Sequence, residues 1–499
     1  MGEPDAVPDG PVGPVAAAVA RYAGLAGAVL LTIAGWLGGA LPDAPLRTTL
    51  AGLWHAAYGP WTLGCWLVGT GLLVGAWWSL RWGAPSGRWA YLTAGLWLLP
   101  PLFAPPLGSR DVYSYACQGW SWTHGVSPYQ VGVAAAGCPW TDAVSPIWRD
   151  TPAPYGPFFV LLAGLAVLAG GGLVGALVLL RVVAVAGVLL AALCLPGLAR
   201  AAGVPTRRAA WLALACPLVG VHLVAGAHND AVGLGLMLLG LLVLVRYPGK
   251  PRALVVAGVV LGLAVAVKAV AVVVLPFAAL AAVLGRYTWR ALLRDGGWHA
   301  GAVLATLLVT SLATGLRLEW VEGLAHSGDS QQWTSPPTAV GFVVDYAGAL
   351  LGRKPHAVPG VRLAALVLLA VLLVALWWWA WTALRRLNEV RQRVIQMASA
   401  RPRVTLLGAG LALAATVLLA PVFHPWYATW PLALLAVATR SPARAVWFVA
   451  PCAVASVLTL PDGTNLARFT KAPGAVLMTA LVVVVAVRLV RAVPARRAR

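Results

Sequence analysis

Residues 89–115, WAYLTAGLWLLPPLFAPPLGSRDVYSY, pass from an apolar run containing two tryptophans into a polar segment that carries Asp111. The run from Trp89 to Pro105 is long enough to cross the apolar part of a bilayer, and a long polar loop follows it. A carboxylate at the mouth of a membrane span is costly to keep there. Asp111 is therefore a candidate for chemistry at the membrane surface.

The composition of the whole chain indicates a membrane protein. Its 499 residues are 60% hydrophobic and only 10% charged, with a mean hydropathy of +0.82. These values exclude a water-soluble globule. They predict an all-α, polytopic transmembrane helical bundle of about 12–14 spans, with long outward loops carrying short interfacial helices. The predicted spans are 22–41, 61–80, 89–105, 173–195, 210–227, 231–245, 253–267, 269–285, 298–316, 360–382, 404–421, 428–439, 445–460 and 474–491.

The distribution of Lys and Arg gives this arrangement an orientation. Loops on one side hold about 25 basic and 5 acidic residues, against about 9 basic and 10 acidic on the other. The basic side is predicted to be the cytoplasm, so both termini face inward. The protein is expected in the plasma (inner) membrane as a multi-pass protein with its active site outward.

The chain is predicted to form a single membrane domain. Residues 1–21 are a cytoplasmic tail, residues 22–491 the membrane domain and residues 492–499 a basic cytoplasmic tail. The outward loops are 106–157 and 317–359. The apolar stretch 158–169 is assigned to an interfacial helix, because a further crossing there would invert every later loop against the charge rule. The first apolar run is interpreted as an uncleaved anchor.

The net charge of +21 follows from this topology. The cations are spread over separate short loops and form no single patch, so no nucleic-acid partner is predicted. Anionic membrane lipid is the expected counter-charge.

The six cysteines give little functional information. Four lie in or beside apolar runs and are expected to pack as small hydrophobic side chains. Cys117 and Cys138 share an outward loop, where oxidation is permitted, and the sequence leaves open whether they form a disulfide.

The polar loops favour a group transfer that uses a lipid-linked donor. The chain has no Gly-rich phosphate loop, and its only acid-x-acid triple lies at residues 3–5, so a cytoplasmic nucleotide donor is disfavoured. A donor used at the outer face must arrive through the membrane, as a polyprenyl-phosphate sugar does. One carboxylate is then sufficient, because the phosphate leaves without an acid, while cations stabilise its developing charge.

Several ordered motifs together resemble a known family. The motifs are SRDVYSY (109–115), GVSPY (125–129), PYGP (154–157), HNDA (228–231) and HPWY (424–427). They resemble the actinobacterial polyprenol-phosphate-mannose-dependent alpha-(1,6)-mannosyltransferases, enzymes of the GT-C fold, and the resemblance extends from about residue 90 to residue 470. It implies an outward active site and an inverting transfer of mannose from polyprenyl-phosphate-mannose to a lipid-anchored mannan.

The resemblance also assigns residues. Asp111 occupies the position of the catalytic base. The positions expected to bind substrate are Arg110, Tyr113, Tyr155, His228, Asn229, Asp230, Lys268, His424 and Tyr427. The spacer at 117–122 has more tryptophan than the family pattern suggests, which leaves the choice of acceptor open.

Structural interpretations of the same residues stay open at this stage. Asp111 could pair with Arg110 or cap a short helix. The 228–230 motif could be a helix end, and the 424–427 motif a turn with interfacial aromatics. Lys268 is either a phosphate ligand or a snorkelling side chain, and phosphate is favoured because no acid lies near it in sequence. Arg181 is a weaker candidate at membrane depth.

Other functions also compete. Glu319, Glu322 and Asp329 could hold a divalent cation, although their spacing is not diagnostic, so a metal requirement stays open. A lipid or sugar transporter would place its charges near the bilayer midplane between repeated halves, and no repeat is evident. A GT-C transferase that uses another polyprenyl-linked sugar or another acceptor is the main alternative.

Overall fold

The computed structural model describes residues 13–45, 49–389 and 394–497, and within them it is helical with no strand. The all-α fold class is thus confirmed. The α-helices are α1 (Pro14–Gly38), α2 (Leu50–Trp54), α3 (Gly59–Ser79), α4 (Gly87–Leu102), α5 (Asp111–Thr123), α6 (Pro157–Gly170), α7 (Leu173–Ala202), α8 (Thr206–Leu214), α9 (Asp230–Arg246), α10 (Pro251–Val267), α11 (Leu275–Ala282), α12 (Trp289–Thr314), α13 (Glu319–Gly323), α14 (Pro336–Leu350), α15 (Ala357–Glu389), α16 (Val394–Leu419), α17 (Thr429–Ala438), α18 (Pro442–Ala455) and α19 (Lys471–Arg497).

Fewer helices than predicted are clear membrane spans. Six of the described helices are long and apolar enough to cross a membrane, or seven if the bent pair of α8 and the turn 219–225 counts as one. Several other predicted spans fall on shorter apolar helices, such as α10 and α18, and the stretch 158–169 that was assigned to an interfacial helix forms the short helix α6. Pro and Gly end or bend these elements. The polytopic bundle is confirmed, and the count of 12–14 complete crossings stays a prediction.

The ends of the chain differ from the predicted boundaries. Helix α1 begins at Pro14, inside the predicted tail 1–21, because Pro at the first position and the alanines after it suit a helix start. Helix α19 runs to Arg497, through most of the predicted tail 492–499, and residues 498–499 lie outside the described part.

The bundle is built on close helix pairs. Helix α1 packs along α3, and α7, α9, α10 and α12 form a row of neighbours. The contact between α7 and α9 is formed by small residues, because a Cβ on Gly187 would lie 2.4 Å from the carbonyl oxygen of Ala231. Such backbone approach fixes the position of α9, whose first residue is Asp230.

Helix breaks gather polar residues at one end of this bundle. Helix α8 and the π-helical turn 219–225 are bent by 64°, and Ala227 has a positive φ of 50° just before His228. Helix α10 stops at Val267, and Lys268 is extended, with φ −149° and ψ 120°. Gly156 closes this region by donating its N–H to the carbonyl of Val267 at 3.2 Å.

The tight contact at Gly187 predicts opposite effects for two Gly→Ala substitutions. Gly187→Ala places a methyl group against the α9 backbone and should lower the midpoint of thermal unfolding in detergent. Gly301→Ala, in the interior of α12, meets nothing within 4 Å and is expected to raise the midpoint slightly, because alanine favours helix by roughly 1 kcal/mol. Equal effects of the two substitutions would show that α7 and α9 are not in close contact.

Candidate active site

Asp111 lies on the wall of a polar cavity. The cavity has a volume of about 480 Å³ and forms where the loops after α4, α5, α13, α16 and α18 meet. Its lining residues are Gly108, Ser109, Arg110, Asp111, Ser145, Pro146, Ile147, Trp148, Ser330, Gln331, Gln332, His424, Trp426, Thr459, Gly463, Thr464, Asn465, Ala467, Arg468 and Lys471. The sequence motifs at 109–115 and 424–427 are therefore adjacent in space.

The Asp111 carboxylate is buried but borders this cavity. Asp111 is the first residue of α5, its N–H donates to Ser109 Oγ at 3.0 Å, and the residue is 8% exposed. Burial raises the pKa of Asp111 to about 6, although the Ser109 hydroxyl and the Lys268 ammonium oppose the rise. Its carboxylate can therefore accept a proton near neutral pH.

Arg110 and Tyr113 hold the backbone around Asp111. The Arg110 guanidinium donates to the carbonyls of Ala44 at 2.8 Å, Ala143 at 3.2 Å and Asp462 at 3.4 Å. The Tyr113 hydroxyl donates to the carbonyl of Ala40 at 2.6 Å. Arg110 still lines the cavity. The Tyr113 hydroxyl was predicted to contact substrate, but here it donates its hydrogen bond to the backbone just after α1.

Lys268 has an acidic partner that the sequence does not suggest. Its ammonium lies 2.8 Å from both carboxylate oxygens of Asp230, which stands 38 residues earlier in the chain. The indole N–H of Trp430 donates to the same carboxylate at 2.8 Å, and the Asp230 side chain is fully buried. The sequence argument for phosphate binding relied on an unpaired Lys268, and this ion pair removes that support.

His228 links the ion pair to Asp111. Its Nδ1 lies 3.9 Å from Asp111 Oδ2, 3.8 Å from Asp230 Oδ2 and 3.2 Å from the Tyr115 hydroxyl. Burial lowers the pKa of His228 well below its usual value, so the imidazole is neutral. The next residue, Asn229, is buried, and neither polar atom of its side chain has a hydrogen-bond partner among the described residues.

Aromatic rings enclose the same groups. Lys268 Nζ lies 4.8 Å from the ring centroid of Tyr427 and 5.8 Å from that of Tyr155, at cation–π distance. The His424 ring stacks on Trp426 with centroids 4.7 Å apart. Burial lowers the pKa of His424 to about 3, so this ring is also neutral. The structure thus assembles the predicted residues, with Asp111 and His424 on the cavity and Lys268, Asp230 and Asn229 behind it.

Sequence reasoning missed part of the cavity wall. Trp148 and Ile147 form one side, while Arg468, in the segment before α19, and Lys471, the first residue of α19, also line the cavity. Asn465 on this segment donates from Nδ2 to Gln332 Oε1 at 2.8 Å. The sequence did contain a sign that Arg468 and Lys471 are functional. They stand in a loop that is predicted to lie outside, where basic residues are disfavoured.

Two remaining candidates do not form binding sites. The three acids Glu319, Glu322 and Asp329 do not assemble. Glu319 accepts a hydrogen bond from Ser127 at 2.5 Å, and no group of three metal-binding side chains occurs within the described ranges. Arg181 donates to backbone carbonyls, including that of Ala104 at 2.6 Å, and so braces the end of α4.

Cys117 and Cys138 form a disulfide, which decides the alternative that the sequence left open. The bond attaches α5, and with it Asp111, to the loop that carries Trp148. Cys65, Cys194, Cys216 and Cys452 are free.

Comparisons with known proteins identify relatives over most of the chain. Residues 21–284 match the model of the alpha-(1->6)-mannopyranosyltransferase N-terminal domain, and residues 337–488 match that of the MptB C-terminal domain. An alpha-(1->6)-mannopyranosyltransferase A of Mycobacterium tuberculosis is 32% identical over 89% of this chain and 84% of its own. Another alpha-(1->6)-mannopyranosyltransferase of the same organism is 33% identical over 75% of this chain and 70% of its own. Alpha-(1->6)-mannopyranosyltransferase B of Corynebacterium glutamicum is 27% identical over 74% and 64%. No solved structure matches significantly.

The buried ion pair predicts a characteristic pattern of stability. Lys268→Met leaves the Asp230 carboxylate buried without its cation and should cost about 3–5 kcal/mol, seen as a lower midpoint of thermal unfolding in detergent. The double variant Lys268→Met/Asp230→Asn should recover part of the loss. Asp142→Asn is the control, because it removes an exposed carboxylate that pairs with Arg149. A Lys268→Met protein as stable as the wild type would rule out a structural role for the pair.

Proposed function

The chain belongs to the alpha-(1->6)-mannopyranosyltransferase family and is a glycosyltransferase that transfers mannose, and we propose that it takes this mannose from a polyprenyl-phosphate donor with Asp111 as general base. The observation that carries the proposal is the position of one buried, proton-accepting carboxylate on the wall of the polar cavity.

The proposed reaction breaks one bond and forms one. An acceptor hydroxyl gives its proton to Asp111 while its oxygen forms a bond to the anomeric carbon of mannose. The bond from that carbon to the phosphate oxygen breaks, and its electron pair leaves with polyprenyl phosphate. Attack opposite the departing phosphate inverts the configuration and yields an alpha-1,6 linkage. No general acid is needed, because the phosphate is a competent leaving group.

The geometry around Asp111 supports this role. The hydrogen bonds of Arg110 and Ser109 fix the backbone that carries Asp111 before substrate arrives, and such preorganisation increases the effective concentration of the base. His228 is close enough to orient Asp111 and is neutral, so it does not hold the base as a fixed ion pair. The Lys268–Asp230 pair lies beside His228, whose Nδ1 is 3.8 Å from Asp230 Oδ2.

The cavity wall suits a sugar acceptor. Trp148 contributes an aromatic ring to this wall, while Gln331, Gln332 and Asn465 contribute amides. Aromatic faces and amides are the groups that bind the apolar face and the hydroxyls of a pyranose. We assign to this wall the mannose units of a lipid-anchored mannan, which a bilayer would deliver to the same surface as the donor.

The charge bias supports a location of this cavity on the outer side of the plasma membrane, with both termini in the cytoplasm. The Cys117–Cys138 disulfide supports an outward loop, because disulfides persist in oxidising compartments. Nucleotide sugars are absent outside the cell, which is why a lipid-linked donor is required by this topology.

Removal of the base provides the direct mutational test. Asp111→Asn should lower kcat by about 10²–10⁴-fold, because a positioned general base contributes that much. Transfer is measured in membranes with labelled polyprenyl-phosphate-mannose and a short mannoside. Asp142→Asn, a change to an exposed carboxylate in the same loop, should transfer at the wild-type rate. Near-normal transfer by the Asp111→Asn protein would exclude Asp111 as the base.

The raised pKa of Asp111 predicts the pH dependence of transfer. The ionised carboxylate is the active form, so kcat/KM should rise with pH up to about 6 and stay constant above it. Initial rates across this range measure the profile. The residual activity of Asp111→Asn should lack the rise, and a rise that persists in this variant would assign it to another group.

A further inference from the structure

The cavity holds two cations without acidic partners. Arg468 and Lys471 line the cavity together with Asp111. Neither forms an ion pair with an acidic side chain in the described part of the chain. Lys471 Nζ lies 4.6 Å from the ring centroid of Phe342, which positions the ammonium without neutralising it.

The other cations near Asp111 are already engaged. The Arg110 guanidinium donates hydrogen bonds to three backbone carbonyls. The Lys268 ammonium donates to both carboxylate oxygens of Asp230. A phosphodiester that enters the cavity would have to break these bonds before either could bind it. Arg468 and Lys471 can bind an anion without such a loss.

The segment that carries the two cations is held firmly across from Asp111. Trp66 Nε1 donates to the carbonyl of Thr459 at 2.9 Å, and Trp333 Nε1 donates to Thr470 Oγ1 at 3.1 Å. Gly463, with φ of 89°, brings the segment against the backbone of Ser109, where a Cβ would lie 3.1 Å away. Both cations are exposed and stand on a braced segment that lines the same cavity as Asp111.

We propose that Arg468 and Lys471 form the subsite for the phosphate of the polyprenyl-phosphate donor. The inference rests on the proposed function and names the residues that recognise the donor. A guanidinium binds two phosphate oxygens in a fork, while an ammonium contributes a point charge. Lys471 is also the first residue of α19, so the partial positive charge of the helix N-terminus adds to the site. The anomeric carbon then lies between this subsite and Asp111, as inversion requires.

The test measures binding separately from turnover. Full-length protein in detergent is titrated with a short-chain polyprenyl phosphate and with the corresponding polyprenol, which lacks the phosphate. Wild type should bind the phosphate form more tightly. Arg468→Gln and Lys471→Gln should each weaken that binding by roughly tenfold, as for loss of a charge-assisted hydrogen bond. Binding of polyprenol should stay unchanged, and Arg468→Lys should recover part of the loss.

Matched controls separate this subsite from general charge and from the base. Arg353→Gln and Lys354→Gln remove exposed cations that do not line the cavity, and they should bind polyprenyl phosphate as wild type does. Asp111→Asn should keep the preference for phosphate while losing turnover. A double variant Arg468→Gln/Lys471→Gln that still prefers the phosphate form overturns the subsite and leaves the donor assignment intact. No preference in the wild type overturns both.

Discussion

The buried ion pair between Lys268 and Asp230 is the interaction on which the site depends. Neither charge can stay in this apolar interior alone, so the start of α9 and the end of α10 must remain together. Trp430 and the rings of Tyr155 and Tyr427 close around the pair. The His228 ring lies beside both this pair and Asp111, with its Nδ1 3.8 Å from Asp230 Oδ2 and 3.9 Å from Asp111 Oδ2. The sequence suggested Lys268 and Asp230 as substrate ligands, and their mutual pairing gives both residues a structural role beside the proposed base.

The membrane bundle is built to interrupt helices where chemistry is needed. The loop after the 219–225 turn, the stop of α10 at Lys268 and the loop after α16 meet around one group of side chains, because Lys268 pairs with Asp230 and Trp426 packs on His228. Each break exposes polar backbone, which apolar surroundings penalise unless protein or a water-filled cavity satisfies it. The breaks therefore collect around the cavity, and residues from both matched family regions line it.

The all-α fold class and the family were predictable from sequence, because hydropathy and ordered motifs are local signals, and the motif at 109–115 also indicated a residue that lines the cavity. Pairings between distant segments were not. Nothing near Lys268 in sequence indicates Asp230, and the carbonyl partners of Arg110 come from three separate loops. Arg468 and Lys471 belong to no recognised motif, and only their outward position against the charge bias marks them. The number of membrane crossings is hard to predict for the same reason, because the position of a short, broken helix in the bundle depends on the helices that pack against it.

The most direct test of the account is the accessibility of the cavity from outside the cell. Ile147, which is 46% exposed on the cavity wall, is replaced by cysteine and treated in intact cells with a membrane-impermeant thiol reagent. Ala443→Cys, an exposed position at the start of α18 in the predicted cytoplasmic loop 440–444, is the control. The account predicts that Ile147→Cys is labelled without permeabilisation and is protected by polyprenyl-phosphate-mannose, while Ala443→Cys is labelled only after permeabilisation. Labelling of Ile147→Cys only in permeabilised cells would contradict it.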